Sequence, residues 1–389
     1  MLFDPRLIFA LLWLGQIFGL AMFGEVFEPF SWLTWVSVVC TIVGFGAGAV
    51  IASATPAMDT RLAPEQGAPD WLIRKAYYWF LVLYGIAVVL TTAKLYLILR
   101  GALGAGMTMP AVRQAIVYDF TGGRQIFGLL RVFFFGVSAC IYFLANAGSL
   151  TRRQIFVIVA IGLISAILTT GRLYMLLFFL AGASLFYRQG FLTTRGVFVT
   201  FGLFIGLFFL VAVVLQKGSP DSGLFEQLGW NTKVYALSSV ACFDNYVQTG
   251  LQEIPGGALI PNAVRGLLDH LGLNVPLRPA LMPFVSVPLT CNTYTAMFPL
   301  YHDGQLPGII FGFFAIGLFH QFLFKWSMSS AKPIAWYLYA VSLYPLCMSV
   351  FEDAYFSSPG FWVLLWIPPV LHWFGKLMFK APSKQAQVC

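Results

Sequence analysis

Ten apolar runs of roughly 16 to 25 residues follow one another along this chain, each matching the span of a bilayer's hydrocarbon core. They fall at 6–23, 31–54, 76–98, 126–147, 155–170, 172–187, 196–215, 307–324, 333–351 and 360–379. Backbone polar groups cannot go unpaired in lipid, so the runs are expected to be helices. Composition agrees, with 59% hydrophobic and only 10% charged residues, against about 25% charged in a soluble domain. The expected fold is an all-α polytopic integral membrane protein with about ten transmembrane helices. No internal repeat, low-complexity segment or soluble domain boundary is visible, so residues 1–389 read as a single transmembrane domain.

Arg6 before the first apolar run resembles the start of a signal peptide, but Phe23-Gly-Glu-Val-Phe-Glu-Pro29 is a poor cleavage site. A retained first helix is expected. Lysines and arginines in the connections then set the orientation. With a cytoplasmic N-terminus, the inner segments hold Arg6, Arg61, Arg74, Lys75, Arg152, Arg153, Arg188, Arg195, Lys325, Lys332, Lys376, Lys380 and Lys384. Their only acids are Asp4, Asp59, Glu65 and Asp70. Both termini are therefore expected inside, with the long polar loop facing out. The formal charge of +8 reflects this asymmetry rather than nucleic-acid binding.

The same topology places the one long polar break, residues 216–305, on the outer side. It carries Asp221, Glu226, Asp244, Glu253, Arg265, Asp269, His270, Arg278, His302 and Asp303. Of six cysteines, Cys40, Cys140 and Cys347 lie in spans and Cys389 in the tail. Cys242 and Cys291 share the outer loop, where a disulfide is possible, and the sequence leaves that pairing open.

Arg172 follows the tight turn Thr169-Thr-Gly between two runs of 16 residues, each about 24 Å as helix against a core of about 30 Å. The turn is expected to be recessed, where a guanidinium needs an anion; snorkelling to the headgroups is the alternative. Glu352 and Asp353 follow the ninth run at its C-terminal end, where the helix dipole disfavours anions. They are either an exposed acidic loop or a pair serving a base or held by an arginine. Asp303 precedes Gly-Gln-Leu-Pro-Gly308 and reads as the N-cap of the eighth span.

Ala258 to Leu271 reads as an amphipathic helix opened by Pro261, with Val264, Leu267, Leu268 and Leu271 on one face. Such a helix can lie in the outer interface. Arg265 and Asp269 have the i,i+4 spacing of an exposed ion pair. Arg278 has no local acidic partner and is a candidate for an anionic ligand. His270 is a structural or a catalytic histidine. Trp230, Tyr235, Tyr246, Tyr294 and Tyr301 suit sugar stacking or an aromatic belt equally. No nucleotide-binding motif and no metal-ligand spacing is present, so no cofactor is expected. An outward-facing enzyme without nucleotide needs a pre-activated substrate. Lipid-linked diphosphates fit, with a tail for the helices, an anion for arginines and a sugar for the loop.

Three features resemble the bacterial oligosaccharide repeat-unit polymerases, the O-antigen polymerase (Wzy) family: a roughly ten-span hydropathy profile with one large late loop, an arginine after a small polar turn (Thr170-Gly-Arg172), and the segment Asn292-Thr-Tyr294-Thr295-Ala through Asp303-Gly304 to Gly308. The last is similar to that family's Asn-x-Tyr-Thr … Asp-x-Gly … Gly pattern, except that Gly304 follows Asp303 directly. The resemblance implies a GT-C-like glycosyltransferase of the inner membrane, working on undecaprenyl-diphosphate-linked oligosaccharides as donor and acceptor. It also implies a chain-length-determining co-polymerase as partner. Under it, Arg172 and Arg278, with Arg265 in reserve, would hold the diphosphate. The base would be Asp303, then His270, then Glu352 or Asp353, and Asn292, Tyr294, Tyr246 and Tyr301 would line the glycan. An O-antigen ligase and a lipid-linked oligosaccharide flippase are the alternatives.

Overall fold

The computed structural model describes residues 2–27, 29–56, 70–104, 106, 129–169, 172–214, 224–250, 254, 257–278, 282, 284–287, 290–356 and 359–378. Its helices are α1 Pro5–Phe23, α2 Trp32–Ala54, α3 Asp70–Gly104, α4 Leu129–Ala145, α5 Arg152–Leu168, α6 Arg172–Arg188, α7 Thr194–Val214, α8 Leu224–Thr249, α9 Asn262–His270, α10 Met297–Ser329, α11 Pro333–Met348 and α12 Pro359–Met378. Val285–Ser286 and Thr290–Cys291 form a minimal antiparallel ribbon, β1 and β2. Among the described residues, Pro5–Val26, Trp32–Ala54, Trp71–Lys94 and Met297–Ser329 are helical, long and apolar enough to cross a membrane, and several other apolar helices are shorter. The chain is thus an α-helical membrane protein.

Helix starts follow local chemistry. Asp4 accepts the Arg6 amide at 2.9 Å ahead of Pro5, a proline suited to a first turn. Ser31 caps α2 through the Thr34 amide at 3.3 Å. Thr151 and Gln154 close a reciprocal capping box at α5, satisfying two otherwise unpaired donors.

The chain forms two compact units. One comprises residues 62–178, 332–337 and 361–389. In it the Tyr84 and Ser165 hydroxyls meet at 2.6 Å between α3 and α5. The Tyr337 hydroxyl lies 3.2 Å from that of Ser138 and donates to the Leu365 carbonyl at 2.6 Å. Hydroxyls inside apolar helices are costly unless paired, and here they pair with one another.

The other unit comprises residues 1–61, 179–331 and 338–360, and its centre is the pair α2 and α10. A Cβ at Gly44 would stand 2.6 Å from the Ile310 carbonyl oxygen, one at Gly48 2.0 Å from that of Phe314, and one at Gly317 2.2 Å from that of Phe45. Positions 44 and 48 thus match 310 and 314, so the helices run parallel with backbones in contact. Glycine permits this approach, which gains dispersion where lipid offers no hydrophobic drive. Phe9, stacked on Phe45 at 3.8 Å, and Trp13, edge-on to Phe313 at 6.1 Å, seal the pair.

This unit has two distinct ends. At one, the Lys325 ammonium donates to the carbonyls of Ala52 (2.9 Å), Ser53 (3.1 Å) and Thr55, closing the C-terminus of α2. Arg188 donates to Met328 at 3.2 Å, Arg6 reaches Ser53 at 3.4 Å, and the Tyr339 hydroxyl donates to Phe3. Cations suit helix C-termini for dipole reasons. The polar break builds the other end.

The polar break contains the 26-residue α8, and the helix expected from position 307 begins earlier, at Met297. α10 reverses at Gln305, whose φ of 53° and ψ of −146° are non-helical. Leu300 then lies back against Gly308, where a Cβ would stand 2.2 Å from its carbonyl oxygen, and against Gly312. Residues 297–304 therefore descend beside 306–312 as a re-entrant hairpin, and residues 294–301 are all buried. The Ala296 amide donates to the Ser349 carbonyl at 2.9 Å, and the Ser349 hydroxyl accepts from the Trp13 indole at 3.3 Å. Trp13 lies about 12 Å along α1, so the hairpin reaches mid-helix level.

Cys242 of α8 and Cys291 of β2 are joined as a disulfide across 49 residues, with Cα atoms 6.4 Å apart. It ties α8 to the strand that leads into the hairpin. Closing a loop of that size is worth about 4 kcal/mol. Mapping of non-reduced peptides should recover the linked pair, and the Cys242→Ser protein should melt several degrees lower. Two free thiols would exclude the bond.

Candidate functional site

Two carboxylates and two arginines gather where the turn after α11 meets the loops of the polar break. Asp353 is nearly fully buried. Its Oδ1 accepts the Tyr355 and Phe356 amides at 2.9 Å each, and its Oδ2 faces Arg278 Nη1 at 3.5 Å with both side chains under one-tenth exposed. Of the two readings left open for Glu352 and Asp353, the exposed acidic loop is excluded: Asp353 is the carboxylate held by an arginine. Burial lowers the Arg278 pKa, and the Asp353 charge partly offsets this.

Arg278 is itself held in place. Its amide donates to Asn262 Oδ1 at 2.8 Å, and its carbonyl accepts Asn262 Nδ2 at 3.0 Å. Its Nη1 also donates to the Ala258 carbonyl at 3.2 Å, and its guanidinium lies 5.9 Å from the Phe298 ring centre, within cation–π range. These bonds occupy Nη1. The Nε and Nη2 edge makes no bond to a described residue, and that edge is the fork that grips phosphate bidentately. Replacing Arg278 by alanine would remove the cation that faces the buried Asp353 carboxylate. A loss of about 3–5 kcal/mol is expected, read as a lower melting temperature of the purified protein.

Glu352 stands beside this pair, partly buried, and its carboxylate has no hydrogen-bond partner among the described residues. Burial, and the Asp353 charge next to it, push its pKa up to about 7. A carboxylate tuned to neutral pH is what general-base chemistry requires.

Asp303 behaves differently. It does not cap a helix beginning at 307; its carboxylate accepts the Ala258 amide at 2.6 Å, the Leu259 amide at 2.8 Å and His302 Nδ1 at 2.5 Å. His302 Nε2 in turn accepts the Ile254 amide at 2.9 Å, so its proton must reside on Nδ1. Gly257 has φ of 90°, strained for any residue with a side chain, and a Cβ there would stand 3.0 Å from Asp303 Oδ2, tighter than an ordinary contact. Asp303 and His302 thus hold Ile254, Ala258 and Leu259, and the three donors leave the carboxylate little capacity to act as a base. His302 was missed as a partner; its adjacency to Asp303 was the available signal.

Arg265 is fully buried. It is turned inward, not outward toward Asp269: Nε donates to the Ile260 carbonyl at 3.0 Å and Nη1 to that of Pro276 at 2.8 Å. The expected exposed ion pair is therefore replaced by a brace between α9 and the strand-like segment carrying Arg278. His270 is exposed on the last turn of α9, away from these contacts. Pro261 occupies the N-cap as expected, and Val264, Leu267 and Leu271 form an exposed apolar face.

Among the aromatic candidates, Tyr246 stacks on His302 at 6.0 Å and meets Phe298 edge-on at 4.8 Å. Tyr301 is buried edge-on to Phe243 at 5.5 Å. Tyr294 is buried with a hydroxyl that has no partner among the described residues, and burial pushes its pKa up to about 12. An unsatisfied buried hydroxyl is costly and suits a bound polar ligand. Asn292 is partly buried just ahead of it. Arg172 opens α6, which at 17 residues is as short as its sequence implied; its side chain lies outside the described residues. So do Asp221 and Glu253, and the side chains of Glu226, Trp230 and Tyr235. Among the described residues, no group of three or more His, Cys, Asp or Glu side chains could hold a metal ion.

No protein-family model, curated protein or solved structure matches this chain. The class the fold defines is an α-helical membrane protein with a buried arginine–carboxylate site.

Proposed function

We propose that this protein is a repeat-unit polysaccharide polymerase: a GT-C-like membrane glycosyltransferase acting on undecaprenyl-diphosphate-linked oligosaccharides at the periplasmic face of the inner membrane. The observation that carries the reading is Glu352, a carboxyl with a pKa of about 7, beside the buried pair Arg278–Asp353. In this reading all ten apolar runs cross the membrane and both termini are cytoplasmic. The basic end of the larger unit, with Arg6, Arg188 and Lys325, supports that sidedness. The Cys242–Cys291 bond supports an oxidising compartment for the opposite end.

The reaction moves the growing glycan from its carrier to the non-reducing end of a new lipid-linked unit. Glu352 takes the proton from the attacking hydroxyl as the new C–O bond forms at the donor's anomeric carbon. The anomeric C–O bond to phosphate breaks, and undecaprenyl diphosphate leaves with the electron pair. The free edge of Arg278 neutralises the departing diphosphate. Asp353 holds Arg278, Asp303 and His302 hold the surrounding segment, and Tyr294 with Asn292 contacts the glycan. A chain-length-determining co-polymerase is the expected partner.

The deciding experiment is a gel of surface polysaccharide from cells lacking the gene. Lipopolysaccharide capped by a single repeat, with longer chains gone, supports the polymerase. Absence of all repeats, with lipid-linked chains accumulating outside the inner membrane, would instead make it a ligase. Repeats trapped on the cytoplasmic side would make it a flippase. Within the polymerase reading, Arg172→Lys keeps the charge but loses the bidentate fork. It should shorten the ladder strongly at unchanged membrane protein level, and a full ladder would remove Arg172 from the site.

A further inference from the structure

His320 lies on the part of α10 beyond the hairpin and is fully buried. Its Nε2 and the Tyr355 hydroxyl are 2.8 Å apart, and its Nδ1 has no partner among the described residues. An imidazole in such a place is costly, because one nitrogen forgoes water without replacement. A leucine would fill the space without that cost. The one polar contact it makes is therefore the feature to explain.

Tyr355 belongs to the same turn as the proposed base. Its amide donates to Asp353 Oδ1, and Asp353 in turn faces Arg278. The Glu352 amide closes the start of the turn on the Met348 carbonyl at 2.8 Å. The turn is thus fastened at its base by α11, at its side by Arg278 and at its far end by His320. Only the last of these fastenings reaches into α10, the helix that carries the re-entrant hairpin.

We propose that His320 is a positioning residue: through Tyr355 it anchors the Glu352–Asp353 turn to α10 and holds Glu352 in its partly buried setting. This rests on the reading of Glu352 as the base, but its test does not require the polymerase activity. Among the described residues, the charged groups beside Glu352 are Asp353 on the turn itself and Arg278 opposite it, and neither variant below alters them.

The experiment is an infrared titration of the purified full-length protein in detergent, with the Glu352 carboxyl band assigned by its disappearance in Glu352→Gln. In the wild type the protonated band should vanish as pH rises through about 7. In His320→Leu the turn loses its anchor and gains water, and the band should vanish at least one pH unit lower. His320→Gln, whose amide can still bond the Tyr355 hydroxyl, should titrate like the wild type. Unchanged titration in both variants overturns the proposal, as does an equal shift in both. Should neither variant accumulate, Tyr355→Phe decides, since it deletes one oxygen and no ring. A shift matching that expected for leucine supports the anchor, and an unshifted band overturns it. A shifted titration in His320→Leu together with an intact polysaccharide ladder in Glu352→Gln would uphold the anchor while rejecting Glu352 as the base.

Discussion

Cells carrying Glu352→Gln in place of the wild-type gene should lose the long polysaccharide ladder while keeping the protein at normal level. Glutamine matches glutamate in shape but cannot accept a proton, so the loss isolates the base. General-base catalysis contributes about 10²–10⁴-fold, enough to reduce a ladder to single repeats. The wild-type enzyme should also slow as pH falls below about 7, because the protonated carboxyl cannot act. Stability should move the other way. The folded-state pKa is raised from 4.5 to about 7, so folded protein binds more protons than unfolded protein between those values. That difference costs stability progressively as pH rises through the window, and the full cost is present above it. Glu352→Gln should therefore melt higher than wild type at pH 8 and equally at pH 4. A variant with a normal ladder would remove Glu352 as the base, whatever its melting curve showed.

Gly48→Val should prevent the protein from accumulating at all. The first added carbon alone would stand 2.0 Å from the Phe314 carbonyl oxygen and 2.9 Å from the Leu318 amide nitrogen, both backbone. Backbone cannot swing aside as a side-chain tip can, so α2 and α10 must separate along their length. Overpacking usually costs 1–3 kcal/mol when neighbours can shift; here about 3 kcal/mol is the lower end. Gly46, two residues away, has open space beside it, and Gly46→Val is the matched control that should express normally. Equal membrane levels of the two variants would show that the backbone contact is not required.

The arginine network bears on how specific the site can be. Arg278 is gripped by Asn262, Ala258 and Asp353 before any ligand arrives. A preformed cation loses little rotamer entropy on binding an anion. The exposed apolar face of α9 lies on the side opposite to Arg265, so one short helix serves as a brace inward and presents leucines outward.

Hydrophobic spacing alone located several of the helices. Runs at 6–23, 31–54 and 172–187 reappear within one or two residues as Pro5–Phe23, Trp32–Ala54 and Arg172–Arg188, because a lipid-soluble backbone has a single way to satisfy itself. The sequence also identified Arg278 and the Glu352–Asp353 pair as candidates, since charge is scarce in such a chain. It could not decide which carboxylate is free. Asp303 looked like a helix cap because a span was expected at 307, yet the hairpin turn at Gln305 points its oxygens at the amides of Ala258 and Leu259, 44 or more residues earlier. Arg265 and Asp269 looked paired because they are neighbours on a helix, but the core of the loop drew the arginine to carbonyls at 260 and 276. Burial raised Glu352 to about 7, and no local pattern encodes burial. What the sequence determined was set by contacts within one turn of helix; what the tertiary structure decided was which distant donors reach each charge, and that alone separates a clamp from a base.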